Sequence, residues 1–170
     1  MQNYIINGSS SLLFIISTTK AFYCSSLLWW KVTNAFLVIA SFLCNATEYH
    51  PIYMQMDYLA IYLVCISYMN HSINILYTLL LIYEYKTYKS IETVKNVVFA
   101  CSVTKSMVRT YLHVDAFHYK VLLLSSISGI IIYKIRYYFL QHNITTYKLL
   151  LTYMFHLCIM NILYVSSITA

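Results

Sequence analysis

Two pairs of polar residues and one carboxylate stand where their chemistry would be felt. Ser41 and Asn45 are four apart, as are Thr152 and His156, so on helices each pair shares a face; Asp57 follows Asn45 by a dozen residues. A carboxylate and an imidazole in one site can exchange a proton or ligate a metal, while Ser41 alone signals nothing. Lys105 and Arg109, also four apart, put two basic groups on one face of an apolar stretch, where charge is costly and therefore a functional candidate. Each residue also has a plainer reading. Asp57 at a helix start would cap free N–H groups, and a lone His in an apolar helix is a hydrogen-bonded packing residue. Lys20, Lys105 and Arg109 would snorkel to the interface or pair with a carboxylate. Asn96 and Asn161 would be hydrogen-bond glue between helices.

The elements that must position these residues follow from composition. Only 11 basic and 5 acidic residues occur in 170, against roughly 40 charged residues in a soluble domain of this length. Hydrophobic residues make up 61%, with two Gly and one Pro, which suits long helices and excludes collagen-like, disordered and turn-rich β architectures. Clustered charge for nucleic acid is missing as well. An all-α polytopic membrane bundle remains, one integral membrane domain over residues 1–170, with membrane lipids as its surroundings and partners. Seven apolar stretches carry it: Ser11–Trp30, Thr33–Thr47, Asp57–Met69, Ile73–Tyr85, Val94–Leu112, Tyr119–Tyr137 and Tyr147–Ser166. Crossing ~30 Å of hydrocarbon takes about 20 helical residues, so the second to fourth must borrow flanking residues. The third and fourth, parted only by Asn70, His71 and Ser72, would merge in a six-span alternative. Period-2 alternation of a membrane barrel is absent. Five cysteines in apolar surroundings read as small buried hydrophobes, and no cleaved signal peptide is expected, the first basic residue being Lys20.

With seven spans, Lys86, Lys89, Lys95, Lys134, Arg136 and Lys148 fall on one side and Lys31, Lys120 and Arg109 on the other. The excess places the N-terminus in the cytoplasm and the C-terminus outside. The end of the second span and the starts of the third and seventh then share the cytoplasmic half, so Ser41, Asn45, Asp57, Thr152 and His156 converge. Six spans would separate Thr152 and His156 from Asp57. Of the sequons at Asn7, Asn45, Asn70 and Asn143, three lie on the cytoplasmic side and one in a tight turn, so no glycosylation is expected.

The run from Ser41 through Asn45 to Asp57 resembles the second-to-third-helix region of the superfamily uniting alkaline ceramidases, adiponectin and progestin receptors and hemolysin III proteins. Members are similar in having S-x3-H at the end of helix two, an Asp opening helix three, and H-x3-H in helix seven, here matched by Thr152 and His156 with Phe155 between. About 40 residues carry the motif match. The resemblance implies a seven-helix membrane hydrolase fold in which three histidines bind zinc, supported by Ser and Asp, and cut lipid amides such as ceramide. This chain keeps Ser41, Asp57 and His156 but has Asn45 and Thr152 at two ligand positions. An amide oxygen and a hydroxyl are poor zinc ligands beside imidazole, and His50 or His142 would have to be recruited without helical spacing. The expectation is a degenerate metal site with no cofactor and a lipid-binding, sensing or scaffolding role. A zinc-dependent hydrolase is the alternative, and a small transporter or channel component lined by Lys105, Arg109 and Asp57 the second alternative.

Overall fold

The structure is a computed structural model and describes residues 6–25, 28–69, 71–88, 90–142 and 147–169. A short 3-10 segment, Ser9–Leu13, runs into α1 (Phe14–Cys24). There follow α2 (Leu28–Ala46), α3 (Pro51–Tyr68), α4 (His71–Tyr88), α5 (Glu92–His113), α6 (Ala116–Gln141) and α7 (Lys148–Thr169); no strand occurs among the described residues. Three helices are long and apolar enough to cross a membrane, over Leu28–Ala46, Ala116–Phe139 and Lys148–Ile168.

Several boundaries differ from those read in the sequence. Ser25 is extended and closes α1 at Cys24, so Trp30 belongs to α2 and Lys20 sits one turn from a helix end rather than mid-span. α3 starts at Pro51, whose fixed φ suits a first helical position and whose missing N–H costs nothing there. Asp57 therefore lies about two turns inside the helix and caps nothing. The third and fourth apolar stretches are two helices: Met69 is extended at the end of α3, and α4 folds back so that the Tyr62 and Thr78 hydroxyls meet at 3.1 Å. At the far end of α4 the Glu84 carboxylate accepts the Thr93 and Val94 N–H groups at 2.8 and 2.7 Å, capping the start of α5.

α7 is the inner helix and α6 an outer one: half of the apolar window of α7 is buried, against 17% for α6. One stripe of α6, Leu122, Ser125 and Ile132 with Gly129 between, faces α7, and a Cβ on Gly129 would stand 3.4 Å from that of Cys158. Leu124, Ile127, Ile130 and Ile131 point outward, an apolar exterior that lipid suits and water does not. Because lipid tails are as apolar as a core, such helices gain from close packing of small residues rather than from burying oil. On α5 the buried set Val98, Ser102, Ser106 and Thr110 recurs every fourth residue. On α2, Ala40, Ser41, Cys44 and Asn45 do the same work. Gly8 brings the Ser9–Leu13 segment onto α2, since a Cβ there would lie 2.7 Å from the Phe42 ring. Cys44, Cys65 and Cys158 are buried as expected, but Cys101 is only partly covered and Cys24 is exposed.

Candidate functional site

The end of α2, the interior of α3 and the start of α7 bring Ser41, Asn45, Asp57, Thr152 and His156 to one end of the bundle. Asn45 is the hub, 6% exposed. Its Nδ2 donates to the Ser41 carbonyl at 2.8 Å and reaches the Ser11 and Ser41 hydroxyls at 3.3 and 3.4 Å, while its Oδ1 accepts the Tyr49 hydroxyl at 2.9 Å. Ser11 donates to Ser41 at 3.1 Å, and Ser41 is the hydrogen-bonding neighbour of the Asp57 carboxylate. Thr152 donates to the Lys148 carbonyl at 2.8 Å and stands beside the Tyr49 hydroxyl. His156 is 6% exposed, bonded to the Ser10 backbone and packed on the Phe14 ring with centroids 5.0 Å apart.

The sequence pointed to none of the other members. Ser10 and Ser11 arrive on the 3-10 segment. Tyr49 lies in the turn after α2, where Tyr49 N–H bonds back to the Cys44 carbonyl at 2.9 Å. Glu48 and Tyr49 both hold positive φ, 53° and 66°, in a helix-ending turn that ordinarily uses Gly; left-handed backbone costs such residues about 1–2 kcal/mol each. Arg136 of α6, counted in the sequence only as an orienting charge, turns inward. Its guanidinium donates to the Tyr49 hydroxyl and lies 5.1 Å from that ring's centroid, and its charge reaches Asp57 and His156. Lys95 turns inward too, buried with its ammonium 3.8 Å from the Tyr58 ring centroid and its charge felt by Asp57.

Lys105 and Arg109 lie elsewhere. Lys105 donates to the Tyr68 carbonyl in the last turn of α3, and both cations stand over the Tyr68 ring, at 4.9 and 5.8 Å. Asp57 is eleven residues back along α3, roughly 16 Å away at 1.5 Å per residue, so Lys105 and Arg109 are not part of the cluster around Asn45. Lys105 caps the negative end of the α3 dipole. His50 and His142 are exposed, each paired with a tyrosine ring, Tyr53 at 5.8 Å and Tyr138 at 4.3 Å, and neither enters the cluster. Asn7 binds Glu48 at 3.1 Å and Asn45 is enclosed; the sequons at Asn70 and Asn143 lie outside the described residues.

Four side-chain atoms in the cluster are sealed from solvent without a hydrogen-bond partner: Ser10 Oγ, Asp57 Oδ1, His156 Nδ1 and Arg136 Nε. Orphaned buried groups of this kind cost stability. No protein-family profile, curated protein or solved structure matches the chain.

The zinc that the superfamily resemblance implies does not fit this donor set. Asn45 spends its amide on Ser41, Ser11 and Tyr49, and Thr152 spends its proton on Lys148. No group of three or more His, Cys, Asp or Glu side chains able to hold a metal occurs among the described residues. Asp57 and His156 alone fall short of the three protein ligands of a catalytic zinc, and a permanent cation, Arg136, already touches the cluster.

Proposed function

We propose that the chain is a multi-pass membrane protein of seven spans, with the Ser9 segment on the cytoplasmic side. It would belong to the fold of the alkaline ceramidase, adiponectin/progestin receptor and hemolysin III superfamily, with the metal site given up and the polar cluster kept to bind or sense a lipid. The observation that carries this reading is the state of Asn45 and Thr152. Both stand at expected ligand positions, and both are engaged in hydrogen bonds to their own surroundings, the Asn45 amide on Ser41 and Tyr49 and the Thr152 proton on Lys148. The lipid-facing exterior of α6 and the unpartnered Asp57 Oδ1 and His156 Nδ1 support a cluster that meets a ligand inside a bilayer rather than a packed core. Zinc content of detergent-purified protein, wild type against His156→Ala, is the test. Wild type is expected to carry no stoichiometric zinc; about one zinc per chain, lost in the variant, would replace this reading with the lipid-amide hydrolase.

A further inference from the structure

The Tyr49 ring is shared by two cations. Arg136 Cζ lies 5.1 Å and Lys148 Nζ 5.5 Å from its centroid. The only ion pair within 4.0 Å among the described residues is Asp115–His118, so neither cation is matched by a carboxylate at contact distance. Arg136 Nε is buried and without an acceptor. Beside them opens a cleft of about 280 Å³ lined by Asn7, Asn45, Glu48, Tyr49, Lys148 and Thr152, with Leu149 as its apolar wall. Its volume is just under the roughly 300–1,000 Å³ of sites that enclose a whole small molecule, so it suits a headgroup rather than an acyl chain. The one acid on the lining, Glu48, is exposed and tied to Asn7 at 3.1 Å, which limits the positive charge without neutralising either cation. Two consecutive left-handed residues, Glu48 and Tyr49, hold the ring in this place.

We propose that this cleft is a phosphate site, in which Lys148 on the lining pairs with the phosphate group of a ligand, Arg136 adds its positive charge from beyond the Tyr49 hydroxyl that it binds, and Asn45 and Thr152 border the group. The proposal rests on the lipid reading above and narrows it: a phosphate-bearing headgroup in place of a neutral amide. Basic pockets between helices on the cytoplasmic face are where anionic headgroups are ordinarily held, and Lys148, Tyr49 and Arg136 come from three different segments at that end of the bundle. An ammonium on the lining, with a guanidinium held by the same tyrosine, gives the cleft a positive field that suits a phosphate better than any neutral group.

The test uses the full chain in a nonionic detergent, its unfolding temperature followed by tryptophan fluorescence. Titrants are phosphatidic acid, diacylglycerol with the same acyl chains, and inorganic phosphate. Phosphatidic acid is expected to raise the unfolding temperature where diacylglycerol does not. Lys148→Gln should require about fivefold more of it, while leaving the lipid-free transition in place, and Lys148→Arg should restore the response. The same rise with inorganic phosphate alone would keep the phosphate site and make its natural source soluble. Equal responses to diacylglycerol and phosphatidic acid, unchanged in Lys148→Gln, would overturn the phosphate site while leaving lipid binding intact. No response to either lipid or to phosphate would overturn both.

Discussion

The two ends of the bundle are both polar, and they are polar in different ways. At the end holding Lys105, groups meet in closed pairs: Trp30 Nε1 donates to Ser167 at 3.0 Å, the Thr33 and Ser67 hydroxyls meet at 3.1 Å, Ser106 and Ser166 at 2.8 Å, and Lys105 binds the Tyr68 carbonyl. The unpartnered side-chain atoms near that end, Asn34 Oδ1 and Thr110 Oγ1, are neutral. At the other end the neutral Ser10 Oγ and Gln55 Oε1 are unpartnered as well, but there three ionisable side chains, Asp57, His156 and Arg136, also keep an unpartnered buried atom. A membrane helix bundle uses paired hydroxyls as fastening, and groups so paired are not available to a ligand, although a cleft of about 360 Å³ lined by Arg109, His113, Val114 and Ile168 opens at the Lys105 end too. On the proposed reading, the difference separates a structural end from a working end within one fold.

That division can be broken or sharpened by experiment. The largest effect is all-or-none. Cys24, exposed at the last residue of α1, should react in intact cells with a maleimide that does not cross membranes, whereas buried Cys44, Cys65 and Cys158 should not. Labelling only after permeabilisation would exchange the two ends and put the polar cluster outside. Next, Trp30→Ala at the fastened end should cost about 3–5 kcal/mol in a denaturant titration, since Trp30 is 1% exposed and stacked on Tyr68 at 5.3 Å. The hub of the working end behaves as fastening as well: Asn45→Ala strips partners from Tyr49, Ser11 and the Ser41 carbonyl and should cost about 1–3 kcal/mol by the same titration. His156→Leu, by contrast, removes an orphaned nitrogen and keeps an apolar side chain against Phe14 while giving up the bond to the Ser10 backbone, so it should cost no more than about 1–2 kcal/mol. A loss as large as that of Trp30→Ala would make His156 an ordinary packing residue.

The smallest effect lies in the connection between α5 and α6. There Asp115 accepts the His118 N–H at 2.8 Å and contacts the imidazole at 2.6 Å, which together hold its carboxyl below the usual carboxylate range. A carboxyl depressed in the folded state adds stability above its unfolded pKa and loses it as pH falls through the folded value. The acid limb of a melting-temperature profile should thus be slightly shallower in Asp115→Asn, the variant melting slightly below wild type near neutrality and level with it at low pH.

The all-helical class was legible from the scarcity of Gly, Pro and charge, and the two i, i+4 pairs with Asp57 were legible as neighbours once helices alternate in direction. The rest was hidden for identifiable reasons. Asp57 looked like a cap because the apolar run begins there, although Pro51 six residues earlier was the readable helix start. Arg136 near a span end looks like any interfacial cation until α6 is known to turn that face inward. Tyr49 gives no sign at all, since left-handed turns are read from Gly or Asn and this one uses Glu48 and Tyr49. Ser10 and Ser11 join through a 3-10 turn, whose geometry the 3.6-residue period does not describe.

The contacts of the 3-10 segment have a consequence for how the molecule is made. Ser9 meets the Tyr153 hydroxyl and Ser10 meets His156, so neighbours in space are 144 or more residues apart along the chain. At about 5–20 residues per second, a ribosome delivers α7 roughly 7 to 30 s after Ser9 has emerged. Throughout that interval α1 has α2 beside it but lacks α7, and the polar cluster stands open on one side. The site is thus the last part of the bundle to close, and a chain stalled before α7 would display Ser41 and Asn45 to the bilayer as an unmet surface that membrane quality control can read.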